Sequence, residues 1–308
     1  MSIDPEHMSD DPQKLRVGLI GDPVAHSYSP RFQQAALDAL GIPARYELWQ
    51  TPLDQLSTRV ASLLDKHCLG ANVTIPHKKA VLPLLDTVDP LAACIGAVNT
   101  IVHEDGYLHG YNTDAPGLLY ALAEQGIGEQ EREGDGPLPS LEGYTAVLLG
   151  AVGAARGAAF ALVSAKVTRL IIVNRRLEDA QRLATEVQEG SECQVFSLSD
   201  PDFLIPHPRS LIINATPVGM HVDGVEAGRA GQEDASPLTA EVLARYAADT
   251  FVFDMVYNPI QTRLLCQAWL LGLRAVNGLP MLLHQGALAF NLWTKQPAPL
   301  EVMRAALM

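Results

Sequence analysis

Cysteine is scarce in this chain: four in 308 residues, Cys68, Cys94, Cys193 and Cys266, far apart and never in a CxxC pair. That spacing signals neither a disulfide framework nor a thiolate zinc site and fits a reducing compartment, so the cytoplasm is expected. Cations are in the minority as well, 22 Lys and Arg against 35 Asp and Glu, for a formal net charge of −13 and a pI near 5.1. A surface for nucleic acid or anionic membrane would need clustered Lys and Arg, so neither partner is expected and a small molecule is. No apolar run reaches the roughly 18 residues that a membrane span requires. The opening MSIDPEHMSDDPQK is polar and acidic, unlike a secretory signal. The nine histidines show no metal-ligand spacing such as HExxH, and no metal is expected.

What is present is a globular composition, 48% hydrophobic and 19% charged, with enough length for two domains. Residues 1–15 read either as a disordered polar tail or, if His7-Met8 marks a cloning junction, as a remnant of cloning. From Arg16 to about Asp114 short apolar runs alternate with helical patterns: RVGLIG, PRFQQAALDALG, RYELWQ, LDQLSTRVASLLDK and the ANVTI run. That order predicts a parallel sheet with crossover helices. A helix-like stretch, 115–125, leads into GIGEQEREGDGPLPSLEG, the best candidate linker. A second α/β unit follows from Tyr144, with TAVLLG, a small-residue helix, RLIIVN, LEDAQRLATEV, SLIINAT and FVFDMV. It contains a polar stretch, 222–237, that reads as an exposed loop, and from Thr262 onward the chain reads as helix.

Two places carry chemistry. In GANVTIPHK (70–78) Lys78 is the only ionisable side chain besides His77, and GYNTD (110–114) delivers a carboxylate, Asp114. A lysine and an aspartate beside a substrate are proton-transfer equipment; an ordinary ion pair is the alternative. The second place is AVLLGAVGAARGAAFAL, which follows a strand and opens a helix, the context a dinucleotide-binding turn requires. Against G-x-G-x-x-G/A, Gly150 and Ala155 fill the first and third places while Val152 occupies the second, adding bulk where the backbone approaches a pyrophosphate. The next strand ends in Asn174-Arg175-Arg176, where a ribose would be read. Arginines there suit a 2′-phosphate, so NADP is expected, and Asp179 keeps NAD open.

With these blocks the chain resembles the shikimate dehydrogenase family, quinate/shikimate dehydrogenases included, from about Val17 to Trp293. The resemblance rests on GDPVAHSYSP (21–30), GANVTIPHK, GAVNT (96–100), GYNTDAPG (110–117), GAVGAA (150–155), NRR (174–176), NATPVGM (214–220), DMVYNP (254–259) and NGLPMLLHQGALAF (277–290), in order. It implies an α/β fold: an N-terminal substrate domain with a mostly parallel sheet, residues 16–114 plus the returning C-terminal segment 262–308. A Rossmann-like NADP domain, 115–261, would complete it, with the active site in the cleft between the two. It implies reversible hydride transfer between NADPH and 3-dehydroshikimate giving shikimate, in the pathway to chorismate and aromatic amino acids, by a monomer or homodimer.

Carried over position by position, the resemblance makes Lys78 the catalytic lysine and Asp114 its partner. Ser27 and Ser29 become the serines that bind the substrate carboxylate, with Tyr257 near the same end. Ser29 alternatively caps a helix before Pro30. Asn72, Thr74, Asn99 and Gln285 line the ring-hydroxyl pocket with Asp114. Gly150, Ala151, Val152, Gly153, Ala154, Asn174, Arg175 and Arg176 hold the cofactor, with Thr216, Met255 and Gly278 close to the nicotinamide and its ribose. For Met255 simple core packing is the alternative.

Three departures from the family pattern stand out. Val152 replaces a glycine, Gln33-Gln34 replaces His-Asn after SPRF, which predicts a packing change there, and Leu177-Glu178-Asp179 follows the arginines without a further arginine. Two alternatives accompany the NADP-dependent reading: a relative using quinate or NAD, and a noncatalytic binding protein for a shikimate-type metabolite. Paired serines favour shikimate, because quinate-using relatives often carry threonine in that pair.

Overall fold

The structure, a computed structural model, describes residues 14–128, 138–187, 191–200, 209–221 and 234–308. The expected tail up to residue 13, the centre of the expected linker (129–137) and the bulk of the polar loop (222–233) lie outside the described residues. The chain divides into two compact units, Met1–Asn112 with Gly286–Met308, and Thr113–Gln285.

The first unit is built on β1 (Leu15–Gly21), α1 (Ser29–Ala39), β2 (Ala44–Gln50), α2 (Leu56–Ala61), β3 (Cys68–Val73), β4 (Thr87–Val88), α3 (Pro90–Ile95), β5 (Thr100–Glu104) and β6 (Tyr107–Tyr111). Its six strands run in the order β2-β1-β3-β5-β6-β4. The pairs β2/β1, β1/β3 and β4/β6 are parallel, while β5 is antiparallel to both β3 and β6. The mostly parallel sheet expected from the strand-helix alternation is therefore present, with a hairpin inserted. On α1 the apolar spacing buries Phe32, Ala36 and Leu37 on one face. Helix α3 shows its punctuation directly: Asp89 accepts hydrogen bonds from the N–H groups of Leu91 and Ala92, Pro90 opens the first turn, and Gly96 closes it at φ 68°.

The second unit comprises α4 (Asp114–Glu124), β7 (Thr145–Leu149), α5 (Ala154–Ser164), β8 (Arg169–Asn174), α6 (Leu177–Glu186), β9 (Glu192–Ser197), β10 (Ser210–Asn214), α7 (Ala240–Leu243), β11 (Phe251–Asp254), α8 (Arg263–Leu270) and β12 (Arg274–Val276). Its sheet order is β12-β11-β10-β7-β8-β9, parallel throughout. Every residue of β7 is buried, as an unbroken apolar run covered on both faces demands. Val147, Ile171, Ile212 and Val252 form the centre of this core, and each such side chain contributes on the order of 1.5–3 kcal/mol.

Residues 262–285 belong to this second unit, whereas the sequence reading grouped 262–308 with the first. The reason is β12, too short to announce itself as a strand: it is hydrogen-bonded to β11, and Leu264 and Ala268 of α8 enter the same core. Two helices complete the chain, α9 (Leu279–Thr294) and α10 (Leu300–Leu307). From Gly286 onward α9 belongs to the first unit, where the Trp293 indole N–H donates to the Ile101 carbonyl at 2.9 Å.

Candidate active site

In the first unit the residues expected to read a substrate are wired together by buried hydrogen bonds. Ser27 accepts the Ser29 N–H at 3.2 Å, which fixes the turn into α1. Ser29 itself is the first residue of α1, and Tyr28 holds the cap position with no side-chain cap bond, so the capping alternative for Ser29 is not what forms. Ser29 is buried, and from β2 the Tyr46 phenol donates to Asn72 Oδ1 at 2.8 Å. Asn72 Nδ2 then reaches the Asn99 carbonyl at 3.3 Å and Thr100 Oγ1 at 3.2 Å, and Thr100 Oγ1 donates to Asn99 Oδ1 at 3.1 Å. Burial pushes the Tyr46 phenol far above its ordinary range and keeps it a neutral O–H.

Thr74 and Lys78 follow β3. The Thr74 N–H is bonded to the Ile20 carbonyl at 2.8 Å, and the Lys78 carbonyl accepts the Val98 N–H at 2.8 Å, one residue from Asn99. Lys78 is half-buried within a run of turns and does not start a helix. Beside it His77 is buried, its Nε2 at 2.6 Å from the Thr51 carbonyl; a carbonyl only accepts, so Nε2 carries the proton. The packing change expected at Gln33-Gln34 is visible. Buried Gln33 donates to the Gly286 carbonyl at 2.9 Å, and Gln34 accepts the Tyr46 N–H at 2.9 Å while donating to Asp38 and Ala44.

In the second unit the strand order is that of the doubly wound dinucleotide fold, with a topological switch between β7 and β10. Gly150 leaves β7 at φ 108°, and a Cβ there would stand 3.3 Å from Thr216 Cγ2 and 3.4 Å from the Ala215 carbonyl, so the turns after β7 and β10 lie side by side. Gly153, at φ 57° and ψ −117°, opens α5 in a conformation that side chains resist, and no side chain caps that helix. The Ala155 and Arg156 N–H groups turn back onto the Val152 and Gly153 carbonyls at 3.2 Å each, and the positive end of the helix dipole lies at this turn. Val152 is not among the residues of positive φ and its side chain is 52% exposed, so its bulk faces outward rather than crowding the turn. Ala151 is buried beneath it, and Ala154 is exposed at the start of α5.

Beyond β8, Asn174 bonds the Arg176 carbonyl at 3.0 Å. Arg175 is exposed and has no ion-pair partner among the described residues. Asp179, only 8% exposed, is held by Arg176 at 2.5 Å and Arg182 at 2.8 Å. The carboxylate that would accept from a ribose 2′-hydroxyl is therefore buried and neutralised, while a guanidinium stands open. This donor set, with the uncapped helix start and the glycine turn, fits a dinucleotide carrying a 2′-phosphate.

Asp254 organises the remaining positions of this unit. Completely buried, it accepts from Asn214 Nδ2 at 2.9 Å, the Val256 N–H at 3.1 Å and Thr262 Oγ1 at 2.6 Å. Asn214 in turn holds Thr216 through both its N–H, at 3.0 Å, and its hydroxyl, at 2.6 Å. Burial raises the Asp254 carboxyl above its ordinary range against the pull of those donors. The half-buried Met255 follows, outside the buried core, and Gly278 packs on it so closely that a Cβ would lie 2.3 Å from the Met255 carbonyl oxygen. Tyr257 is half-buried on the same segment. Asp114 starts α4, and one helical turn on, Gly117 lets α9 approach so that a Cβ would meet Gln285 Cβ at 2.7 Å. Asp114 and Gln285 are thereby held near each other; Lys78 belongs to the other unit. Tyr46 carries no sequence signal of its own, and Thr100 and Asp254, although inside GAVNT and DMVYNP, are not singled out by them, because each matters through strand register.

The second unit is thus a dinucleotide-binding domain of Rossmann type, the class that runs hydride chemistry on a nicotinamide. The chain matches the family description "Shikimate dehydrogenase substrate binding domain" over residues 19–101, "Shikimate / quinate 5-dehydrogenase" over 134–221 and "Shikimate 5'-dehydrogenase C-terminal domain" over 278–308. It is 40% identical to the shikimate dehydrogenase (NADP(+)) of Symbiobacterium thermophilum, covering 94% of this chain and 92% of that protein. It is also 40% identical to that of Methanopyrus kandleri, covering 98% and 97%. Among solved structures, the shikimate 5-dehydrogenase of Thermus thermophilus in complex with NADP(H) and shikimate is similar with a TM-score of 0.78 at 39% identity, covering 95% of this chain and 98% of that one. The chain belongs to the shikimate dehydrogenase family.

Proposed function

We propose that this chain is an NADP-dependent shikimate dehydrogenase, interconverting 3-dehydroshikimate and shikimate on the route to chorismate and the aromatic amino acids. The observation that carries this reading is identity of about 40% along nearly the whole length of relatives with that activity. The bound NADP(H) supplies or accepts the hydride.

The chain's own residues do the rest. Ser27 and Ser29 donate to the substrate carboxylate, and Tyr257 serves the same end. Asn72, Thr74, Asn99 and Gln285 pair with the ring hydroxyls, and the burial of Asn72, Asn99 and Gln285 makes an analogue lacking a hydroxyl costly to bind. Lys78 holds the proton that the reacting oxygen takes up when the ketone is reduced and recovers it in the reverse direction, with Asp114 orienting the amine and the hydroxyl. Gly150, Ala151, Gly153 and Ala154 shape the pyrophosphate turn around Val152, Asn174 with Arg175 and Arg176 reads the 2′-phosphate, and Thr216, Met255 and Gly278 seat the nicotinamide end. The enzyme is proposed to act in the cytoplasm as a monomer or homodimer; no described helix is long and apolar enough to cross a membrane.

Shikimate-dependent reduction of NADP, followed by absorbance with NAD and with quinate in parallel, tests the assignment. Turnover with shikimate and NADP far above the other pairs is expected. Tight shikimate binding without turnover on either cofactor would overturn it in favour of a binding protein.

A further inference from the structure

The buried bonds around Asp254 fix the direction of the hydrogen bonds in the turn after β10. Asn214 closes β10 and Asp254 closes β11, and both are fully buried. The Thr216 N–H lies 3.0 Å from one end of the Asn214 amide, and an N–H only donates, so that end is the oxygen. Asn214 Nδ2 therefore faces Asp254 Oδ1 at 2.9 Å, where the Val256 N–H also donates at 3.1 Å. At the other carboxylate oxygen, the Thr262 hydroxyl accepts the Leu265 N–H and gives its own proton to Asp254 Oδ2 at 2.6 Å. The carboxylate thus holds the Asn214 amide in one orientation.

That orientation decides what Thr216 can offer. Its hydroxyl stands 2.6 Å from Asn214 Oδ1, an acceptor, so its only proton points inward. One lone pair accepts the Val218 N–H at 3.3 Å, and one remains. Thr216 is half-buried, and a Cβ on Gly150 would stand 3.3 Å from its methyl group, at the switch between β7 and β10 where folds of this type take their ligand. To a group bound there, Thr216 presents an acceptor and no donor.

We propose that Thr216 reads a hydrogen-bond donor on the nicotinamide end of the dinucleotide, a ribose hydroxyl or the primary amide, and that Asp254 is the positioning residue that sets this polarity through Asn214. The proposal rests on the reading of this unit as the NADP domain with Thr216 near the nicotinamide. Asp254 itself needs no contact with the cofactor.

The test measures dissociation constants for three ligands by direct titration: NADP, its 3-acetylpyridine analogue, in which an acetyl group replaces the amide, and adenosine 2′,5′-bisphosphate, which lacks the nicotinamide end. Thr216→Val, nearly equal in shape, is expected to weaken NADP roughly three- to tenfold and leave the bisphosphate unchanged. A loss that persists with the acetylpyridine analogue assigns the donor to the ribose hydroxyl, and one that vanishes assigns it to the amide. Thr216→Ser keeps the hydroxyl and should bind NADP within about twofold of the native protein. Asp254→Asn keeps a carbonyl oxygen for Asn214 and Val256 and should do the same. Asp254→Ala should show the selective loss of Thr216→Val; Asn214→Ala severs the same link and takes its place if Asp254→Ala does not fold. An equal loss of NADP and bisphosphate in Thr216→Val would mark general damage to the unit and overturn the proposal. Native NADP affinity in Asp254→Ala or Asn214→Ala would confine Asp254 to stability and overturn its role. A native protein that does not bind the bisphosphate overturns the NADP reading and the proposal with it, whereas bisphosphate binding beside a silent Thr216→Val overturns the proposal alone.

Discussion

Under the proposed function the two units would read their ligands by different means. In the first, buried side chains are satisfied among themselves: Tyr46, Asn72, Asn99 and Thr100 form one network in which each member restrains the next. In the second, the turn after β7 is shaped by backbone, with Gly150 and Gly153 at positive φ, and the exposed charge proposed for the 2′-phosphate, Arg175, follows β8. A buried network discriminates sharply because every unmatched polar atom is penalised. An exposed turn binds a charged group strongly while tolerating substitution at side chains that point outward. The difference explains how a valine can stand at 152 in a family pattern that has glycine there.

The sharpest way to break this contrast is Lys78→Ala, which should lower kcat by about 10²–10⁴-fold while sparing shikimate affinity, as steady-state kinetics and direct titration would reveal. Unchanged turnover would remove Lys78 from the chemistry. Next, Arg175→Ala should weaken NADP by roughly ten- to a hundredfold and leave NAD affinity unaltered; equal losses for both dinucleotides would mean that Arg175 does not read the 2′-phosphate.

Asp254→Ala should destabilise the second unit by about 1–3 kcal/mol, because three buried donors lose their acceptor. Chemical denaturation checks this. The sign of its pH dependence also follows. Burial raises the native carboxyl above its unfolded value, so stability from this group is present below the ordinary aspartate pKa and is lost as pH rises through the higher native one. Denaturation across mildly acidic pH should show that slope in the native protein and its absence in the variant.

The smallest effect is reserved for Val152→Gly, expected to change the NADP dissociation constant by less than about threefold, since the valine neither occupies positive φ nor faces inward. Gly153→Ala, at the next residue, is the contrasting control: its φ of 57° and ψ of −117° should make even a methyl group disruptive. A larger response at 152 than at 153 would reverse this account of the turn.

Much of this was legible from spacing. The β7 run is wholly apolar because it is covered on both faces, and the turn after it announces itself by its small residues. The strand β12 was not, since three residues carry too little periodicity to separate a strand from the helices around it. Nor was the fate of Asp179. An acid near a ribose-reading position looks like a hydrogen-bond acceptor until Arg176 and Arg182 are seen to neutralise it.

By itself the sequence determined the α/β class, the places of Lys78, Asp114, Ser27 and Ser29 in their motifs, and the arginine pair after the second unit's second strand. These are local matters of composition, period and spacing. Only the tertiary structure decided that Tyr46 donates to Asn72, that Asp254 gathers Asn214 and Thr262, and that Val152 points outward. Each depends on strand register and helix approach across long stretches of chain, which set the distances and directions on which hydrogen bonds depend.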